Sequence, residues 1–238
     1  MPPQKLAILN NVGVVMLEET GQSSILFLGK KNDTWCEKAL QFIERNYKKV
    51  EVHLGKWGDR LPENIGWWEG EYIISYLSRW IVPEYLLKRA KIAAINFHPA
   101  SPEYPGVGCN NFALYENTKE FGCTCHFMHP KVDTGNIIAV KRFPVFANDD
   151  VKTLLDRTYD FQLTFFYEIM GKIITGEKLP ETKEQWGRKP FTRKELNELN
   201  VITWEMGSEE IKKRIRATNY MEYKPIVKIG EYEFELRT

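Results

Sequence analysis

Two short stretches hold side chains of the kinds that move protons and stabilise charge. The first is INFHPASPEYPG, residues 95–106, and the second is GCTCHFMHPKVDTGN, residues 122–136. In the first, Asn96 and His98 stand two apart at the end of an apolar run, so on a strand they project to the same side. The carboxyl ends of strands in an open α/β sheet are where ligands bind. A stiff loop containing Pro99, Pro102, Pro105 and Gly106 follows. In the second stretch, Pro130 leads into Asp133-Thr134-Gly135, a loop-borne carboxylate placed to reach back towards His98. An amide, an imidazole and a carboxylate on neighbouring loops can serve acyl transfer without a metal.

The second stretch also admits a metal reading, through Cys123, Cys125, His126 and His129 in a C-x-C-H-x-x-H pattern. Zinc sites commonly use C-x(2–4)-C together with a second, more distant pair of ligands. The alternation of Phe121, Cys123, Cys125 and Phe127 fits a strand, which turns Cys125 and His126 to opposite faces. A thioredoxin-type redox pair needs C-x-x-C, which is absent here. No metal ligands are therefore assigned. The two cysteines read as small buried strand residues, His129 as a turn residue, and His126 and His53 as ordinary strand histidines.

These residues need a frame. ILFL (25–28), VEVHL (50–54), YIISYL (72–77) and IAAINF (92–97) read as strands. NDTWCEKALQFIERN reads as a helix capped by Thr34 with Glu37, with Trp35, Ala39, Phe42 and Ile43 on one face. PEYLLKRA reads as another helix, and GKWGDRLPENIGWW as a surface loop with exposed tryptophans. Strand, helix, strand, strand, helix, strand is the order of a parallel sheet with crossover helices over residues 23–145. A long helix follows, with Val151, Leu154, Thr158, Phe161, Phe165, Ile169 and Ile173 at three- and four-residue steps. Asn148 or Asp149 is the expected start cap and Gly176 the end. Thr192 and Glu195 cap KELNEL, a short helix starts at Ser208, and PIVKIGEYEFEL reads as a terminal hairpin. The expected fold is α/β: a Rossmann-like, mostly parallel sheet with flanking helices, plus a small C-terminal helical and β-hairpin region. The expected division is 1–180 and 181–238.

Composition narrows the function. The 238 residues are 43% apolar and 27% charged, with 33 basic against 32 acidic side chains. A chain that grips a nucleic-acid backbone carries a basic excess, so no nucleic-acid partner is expected. The four cysteines are scattered, which suits a reducing cytoplasm. The N-terminal MPPQKLAILNNVGVVMLEE lacks a signal-peptide pattern, and no apolar run is long enough to span a membrane. The first 22 residues carry only a weak strand signal.

N-F-H-P followed by D-T-G resembles the formyltransferase family that uses N10-formyltetrahydrofolate. G-C-T-C-H-F-M resembles the strand that precedes that family's aspartate. The resemblance is best over residues 70–140. It implies a catalytic trio of Asn96, His98 and Asp133, with N10-formyltetrahydrofolate as co-substrate. The methionyl-tRNA branch carries a further tRNA-gripping domain, for which the residues after Asp133 leave little room. The glycinamide-ribonucleotide branch has a G-x-G-S-N turn where this chain reads LGKKNDTW. The branch that formylates amino sugars on nucleoside diphosphates is similar in size. It also resembles this chain in YIISYLSRWIVPE, HPASPEYPGVGCNNFALYE and WGRKPFTRKELNEL. It implies a dTDP-4-amino-4,6-dideoxyhexose acceptor and a place in surface-polysaccharide or O-antigen synthesis.

Within that resemblance Asn96 donates to the oxyanion. His98 either takes the amine's proton or, when charged, stabilises the oxyanion, and Asp133 orients His98. Tyr76, Leu77 and Trp80 are the folate-side candidates, mainly through main chain. Trp186, Arg188, Lys189, Arg79 and Tyr220 are candidates for the nucleotide, by stacking and ion pairing. Tyr104 is the sugar-side candidate. The terminal hairpin offers a face for pairing two copies. The alternatives are glycinamide ribonucleotide formylation, a metal-dependent hydrolase built on the Cys/His cluster, and a non-catalytic binding module.

Overall fold

The computed structural model describes residues 23–237. The expectations for residues 1–22 lie outside the described residues. The chain runs β1 (Ser24–Lys30), α1 (Thr34–Asn46), β2 (Lys49–Gly55), a 3-10 turn (Glu63–Trp67), β3 (Gly70–Tyr76), α2 (Glu84–Leu87), β4 (Ala90–His98), α3 (Cys109–Tyr115), β5 (Glu120–Phe127), β6 (Ile137–Pro144), α4 (Val151–Thr175), α5 (Arg193–Leu199), β7 (Val201–Thr203), α6 (Ser208–Thr218), β8 (Ile226–Ile229) and β9 (Tyr232–Glu235).

The main sheet has the order β2-β1-β3-β4-β5-β6. Strands β1 to β4 are parallel, and β5 and β6 then pair antiparallel. This is the expected mostly parallel α/β sheet. Its central strands are apolar on both faces, because both faces are covered. One face packs under α1 and α4 around Phe27, Tyr76, Phe97 and Phe166. The other buries Leu26, Leu28, Ile65, Trp68, Ile73 and Leu86 beneath the 3-10 turn and α2. Of the tryptophans in the β2–β3 loop, Trp57 and Trp67 are exposed and Trp68 is buried.

Local capping departs from the sequence reading in two places. Helix α1 is capped by Asp33, whose carboxylate accepts from the Cys36 N–H, and Thr34 is already helical. Helix α4 is capped by Asp150, which forms a reciprocal box with Thr153. Asp149 instead pairs with Arg157 at 2.7 Å through both carboxylate oxygens. Competing acceptors stand side by side in each sequence, and the one whose backbone remains extended becomes the cap. The Thr192–Glu195 box and the Gly176 end are as expected. The helix expected in PEYLLKRA shrinks to the four residues of α2, and α3, β6 and β7 were not anticipated.

The C-terminal part forms a second sheet, β7-β8-β9, whose last two strands are the expected hairpin around Gly230. Tyr232 and Phe234 on β9 are exposed. Phe191, Leu199 and Ala217 join the core under the main sheet, so this part packs into the same interior. Residues 177–190, where the expected division falls, carry neither helix nor strand. Among the described residues no helix is long and apolar enough to cross a membrane.

Candidate active site

Strand β4 ends at the expected place, and the register of its neighbour completes the site. Asn96 lies directly opposite His126, and His98 opposite Thr124. Asn96, His98 and His126 therefore face one another, while Phe97 turns to the opposite side and packs on Phe166. The loop after β5 brings Asp133 back to them. Its Oδ2 lies 3.3 Å from His98 Nδ1, and its Oδ1 lies 3.5 Å from His126 Nε2. Asp133 Oδ2 also accepts the Gly106 N–H at 2.8 Å, which ties the two loops together. His98, His126 and Asp133 are all buried.

The hydrogen bonds set an order of orientation. His126 Nδ1 lies 2.8 Å from the Phe127 carbonyl and can only donate to it. In the neutral ring this leaves Nε2 as an acceptor, which takes an Asn96 Nδ2–H at 3.0 Å. The amide of Asn96 is thereby turned with its NH2 towards the site, and its second N–H remains to be given. His98 has an acceptor at each nitrogen: Asp133 at Nδ1 and the Tyr104 carbonyl at Nε2, 3.1 Å away. With Nδ1–H donated to Asp133, Nε2 can take a proton, and the Tyr104 carbonyl then accepts it in a hydrogen bond.

The electrostatics follow from burial and these partners. Burial holds His98 below the ordinary imidazole value, against the upward pull of Asp133. For Asp133, burial pushes upward, but His98, His126 and the Gly106 N–H outweigh it and hold the carboxyl at about 2. Burial pushes the Cys109 thiol up to about 12, with Asp133 adding to the rise. Cys109, 3.8 Å from His98 Nε2, is thus a neutral neighbour.

Two non-glycine residues take left-handed backbone here, Leu77 with φ 53° and Asp133 with φ 46°. Such conformations cost on the order of 1–2 kcal/mol and cluster at functional sites. Glycine is required beside them. A Cβ on Gly135 would fall 1.8 Å from the Phe127 carbonyl oxygen, and one on Gly106 (φ 93°) would fall 2.4 Å from that of Phe191.

The remaining sequence candidates divide. The Tyr76 side chain is fully buried against Phe97 and Phe166, so only its backbone is near the strand end. Trp80 packs on Gly55 and donates to the Asp59 carbonyl. The Tyr104 hydroxyl donates to Glu116, its ring is buried, and its carbonyl lies against His98. Arg188 is occupied by Glu195 and lies over the Phe191 ring, while Lys189 is exposed. The ring of Trp186 meets His126 and His98 edge to face, with centroids 5.0 and 5.8 Å apart, and its N–H donates to the Gly135 carbonyl at 2.8 Å.

Arg79 is exposed, and with Tyr220 it shares the surroundings of Tyr159. The Lys30 ammonium lies 5.5 Å over the Tyr159 ring. The Cys/His cluster is split by the sheet: Cys123 donates to the Thr158 carbonyl under α4, while His126 faces Asn96. His126 is the residue that sequence reasoning undervalued. Only its place opposite Asn96 marks it, and the register between strands thirty residues apart is not written locally.

An open α/β sheet whose strand ends carry an amide and two imidazoles, met by a loop carboxylate, has the form of a group-transfer site. Comparison with known proteins gives a partial match: residues 61–170 match the formyl transferase family model. The methionyl-tRNA formyltransferase of Enterococcus faecalis is 30% identical over 139 residues, 57% of this chain and 44% of that protein. The chain spans about half the length, or less, of the first curated relatives it matches. A 4-N formyltransferase from Francisella tularensis superposes with TM-score 0.75 at 14% identity, covering 93% of this chain and 98% of that one. An N-formyltransferase from Helicobacter canadensis, solved with folinic acid and dTDP-3-aminofucose, has TM-score 0.71 at 22% identity, covering 88% and 85%. At these identities the superpositions show a shared fold.

Proposed function

We propose that this protein transfers the formyl group of N10-formyltetrahydrofolate to the amino group of a nucleoside-diphosphate-linked amino sugar, of the dTDP-4-amino-4,6-dideoxyhexose type. The observation that carries the reading is Asp133 paired with His98 beside an Asn96 amide that donates to His126. The formyl transferase match and the fold shared with sugar N-formyltransferases support it.

The chemistry follows from the geometry. The sugar amine attacks the formyl carbon, and negative charge develops on the formyl oxygen. The free N–H of Asn96 donates to that oxygen. His98, kept neutral by burial, accepts the proton released by the amine, and the imidazolium is then held between Asp133 and the Tyr104 carbonyl. The collapsing intermediate expels N10 of the folate, which takes up a proton. Leu77, whose left-handed backbone turns the chain at the end of β3, is assigned to the folate side with the main chain of Tyr76 and Trp80. Arg79, Tyr220 and Lys189 are assigned to the nucleotide. Product use in surface-polysaccharide synthesis and a cytoplasmic setting belong to the same proposal.

The test incubates the protein with N10-formyltetrahydrofolate and separate acceptors: dTDP- and GDP-linked amino sugars, glycinamide ribonucleotide and methionyl-tRNA. Each is read by mass for a gained formyl group. Formylation of a nucleotide sugar is the expected result. Formylation of glycinamide ribonucleotide or the tRNA alone would replace the acceptor, and none at all would overturn the reading.

A further inference from the structure

Trp186 lies on the stretch without helix or strand, yet it is fastened on both sides. Its indole N–H holds the Gly135 carbonyl in the Asp133 loop, and the next residue's N–H, on Gly187, donates to the Pro102 carbonyl at 3.0 Å in the His98 loop. A few residues on, Phe191 and Pro105 to Val107 exchange two more backbone hydrogen bonds. The indole meets both imidazoles. It also lines an open cavity of about 570 Å³, together with Thr134, Gly135, Asn136 and Glu184. The ring thus touches both the buried histidines and the open cavity.

We propose that Trp186 is the cover of the catalytic group, excluding water so that the formyl group passes to the amine and not to water. This rests on the formyl-transfer reading above. The reaction it suppresses is hydrolysis: water adds to the formyl carbon, the carbon–N10 bond breaks, N10 takes a proton, and formate leaves. Such water exclusion is a recognised function of closed sites. Around His98 stand Asp133 from the loop after β5, His126 from β5, Cys109 from α3, the Tyr104 carbonyl and this indole. Of these groups the indole is the one that also lines the cavity. Removing it admits water without removing a charge. The proton affinity of His98, lowered first of all by burial, then returns towards its ordinary value.

The test compares Trp186→Leu and Trp186→Phe with the unaltered chain. Imidazole titrations by NMR, without ligands, are expected to show the His98 midpoint rising by about one pH unit in the Leu variant. Formate release from N10-formyltetrahydrofolate without acceptor is expected to rise about tenfold relative to transfer. The Phe variant keeps a ring and loses the bond to Gly135, and both its shifts should be smaller and of the same sign. It decides the matter if the Leu variant does not fold. A folded variant with an unmoved His98 midpoint and unchanged formate release, while the unaltered chain transfers formyl normally, overturns the cover and leaves the function standing. Neither transfer nor formate release by any form, even with the midpoint moved, overturns both.

Discussion

Replacing Asp133 by Asn tests the centre of the mechanism while leaving the loop in place. The amide oxygen can still accept the Gly106 N–H at 2.8 Å, so the turn is retained. What is lost is one negative charge 3.3 Å from His98 Nδ1. At an effective dielectric of about 20 that charge is worth about 5 kcal/mol to the imidazolium. Relaxation of the neighbouring dipoles and entry of substrate reduce the part felt in the transition state, so a loss of about 100–1,000-fold in kcat/KM is expected. The pH profile adds a signed check. Asp133 raises the proton affinity of His98. The Asn variant should therefore move the acidic limb of kcat/KM to lower pH even as the plateau falls. The assay is formyl transfer to the best acceptor between about pH 5 and 9, a window centred on an ordinary imidazole. A folded variant with kcat/KM within about threefold of the unaltered chain and an unmoved limb would refute the role given to the carboxylate.

Other outcomes follow from single contacts. Asn96→Ala removes the oxyanion donor and should lower kcat about 100–1,000-fold with thermal stability nearly unchanged, read by steady-state kinetics and melting. Gly106→Ala demands a Cβ 2.4 Å from the Phe191 carbonyl at φ 93°, so its melting temperature and activity should fall together. Gln162 is fully buried; its Nε2–H donates to the Phe97 carbonyl at 2.6 Å, and its Oε1 has no partner among the described residues. Gln162→Met removes both atoms, so urea unfolding should show a cost of only about 1 kcal/mol, the lost bond being offset by the lost unpaired oxygen. Acid titration of stability has a defined sign. The Asp133 carboxyl, at about 2 against roughly 3.9 when unfolded, contributes roughly 2–3 kcal/mol above about pH 4, lost as pH falls through 2. His98, depressed in the folded state, also costs stability once pH drops below about 6.5, because the unfolded chain takes the proton first. Melting temperatures should fall on the acid side, and Asp133→Asn should flatten the lower part of that fall.

Much of this protein is legible as a string. Runs such as ILFL and YIISYL are apolar on both faces and announce covered parallel strands. The α4 periodicity, the Thr192–Glu195 box and the turn at Gly230 are local features, decided by residues within a few positions of one another. Asn96 and His98 share a side because strand geometry alone puts them there. The cap of α4 was not legible: Asn148 or Asp149 was expected, whereas Asp150 caps the helix and Asp149 pairs with Arg157. The partners across the sheet were not legible either. His126 enters the site only because β5 pairs antiparallel to β4 in the register that sets it opposite Asn96. Trp186 meets the histidines only because the Gly135 and Pro102 carbonyls fasten its stretch beside them. Sequence by itself determined the residue types and their local geometry. Tertiary structure decided who meets whom, since a contact between residues thirty or ninety positions apart depends on packing and register that no local pattern encodes.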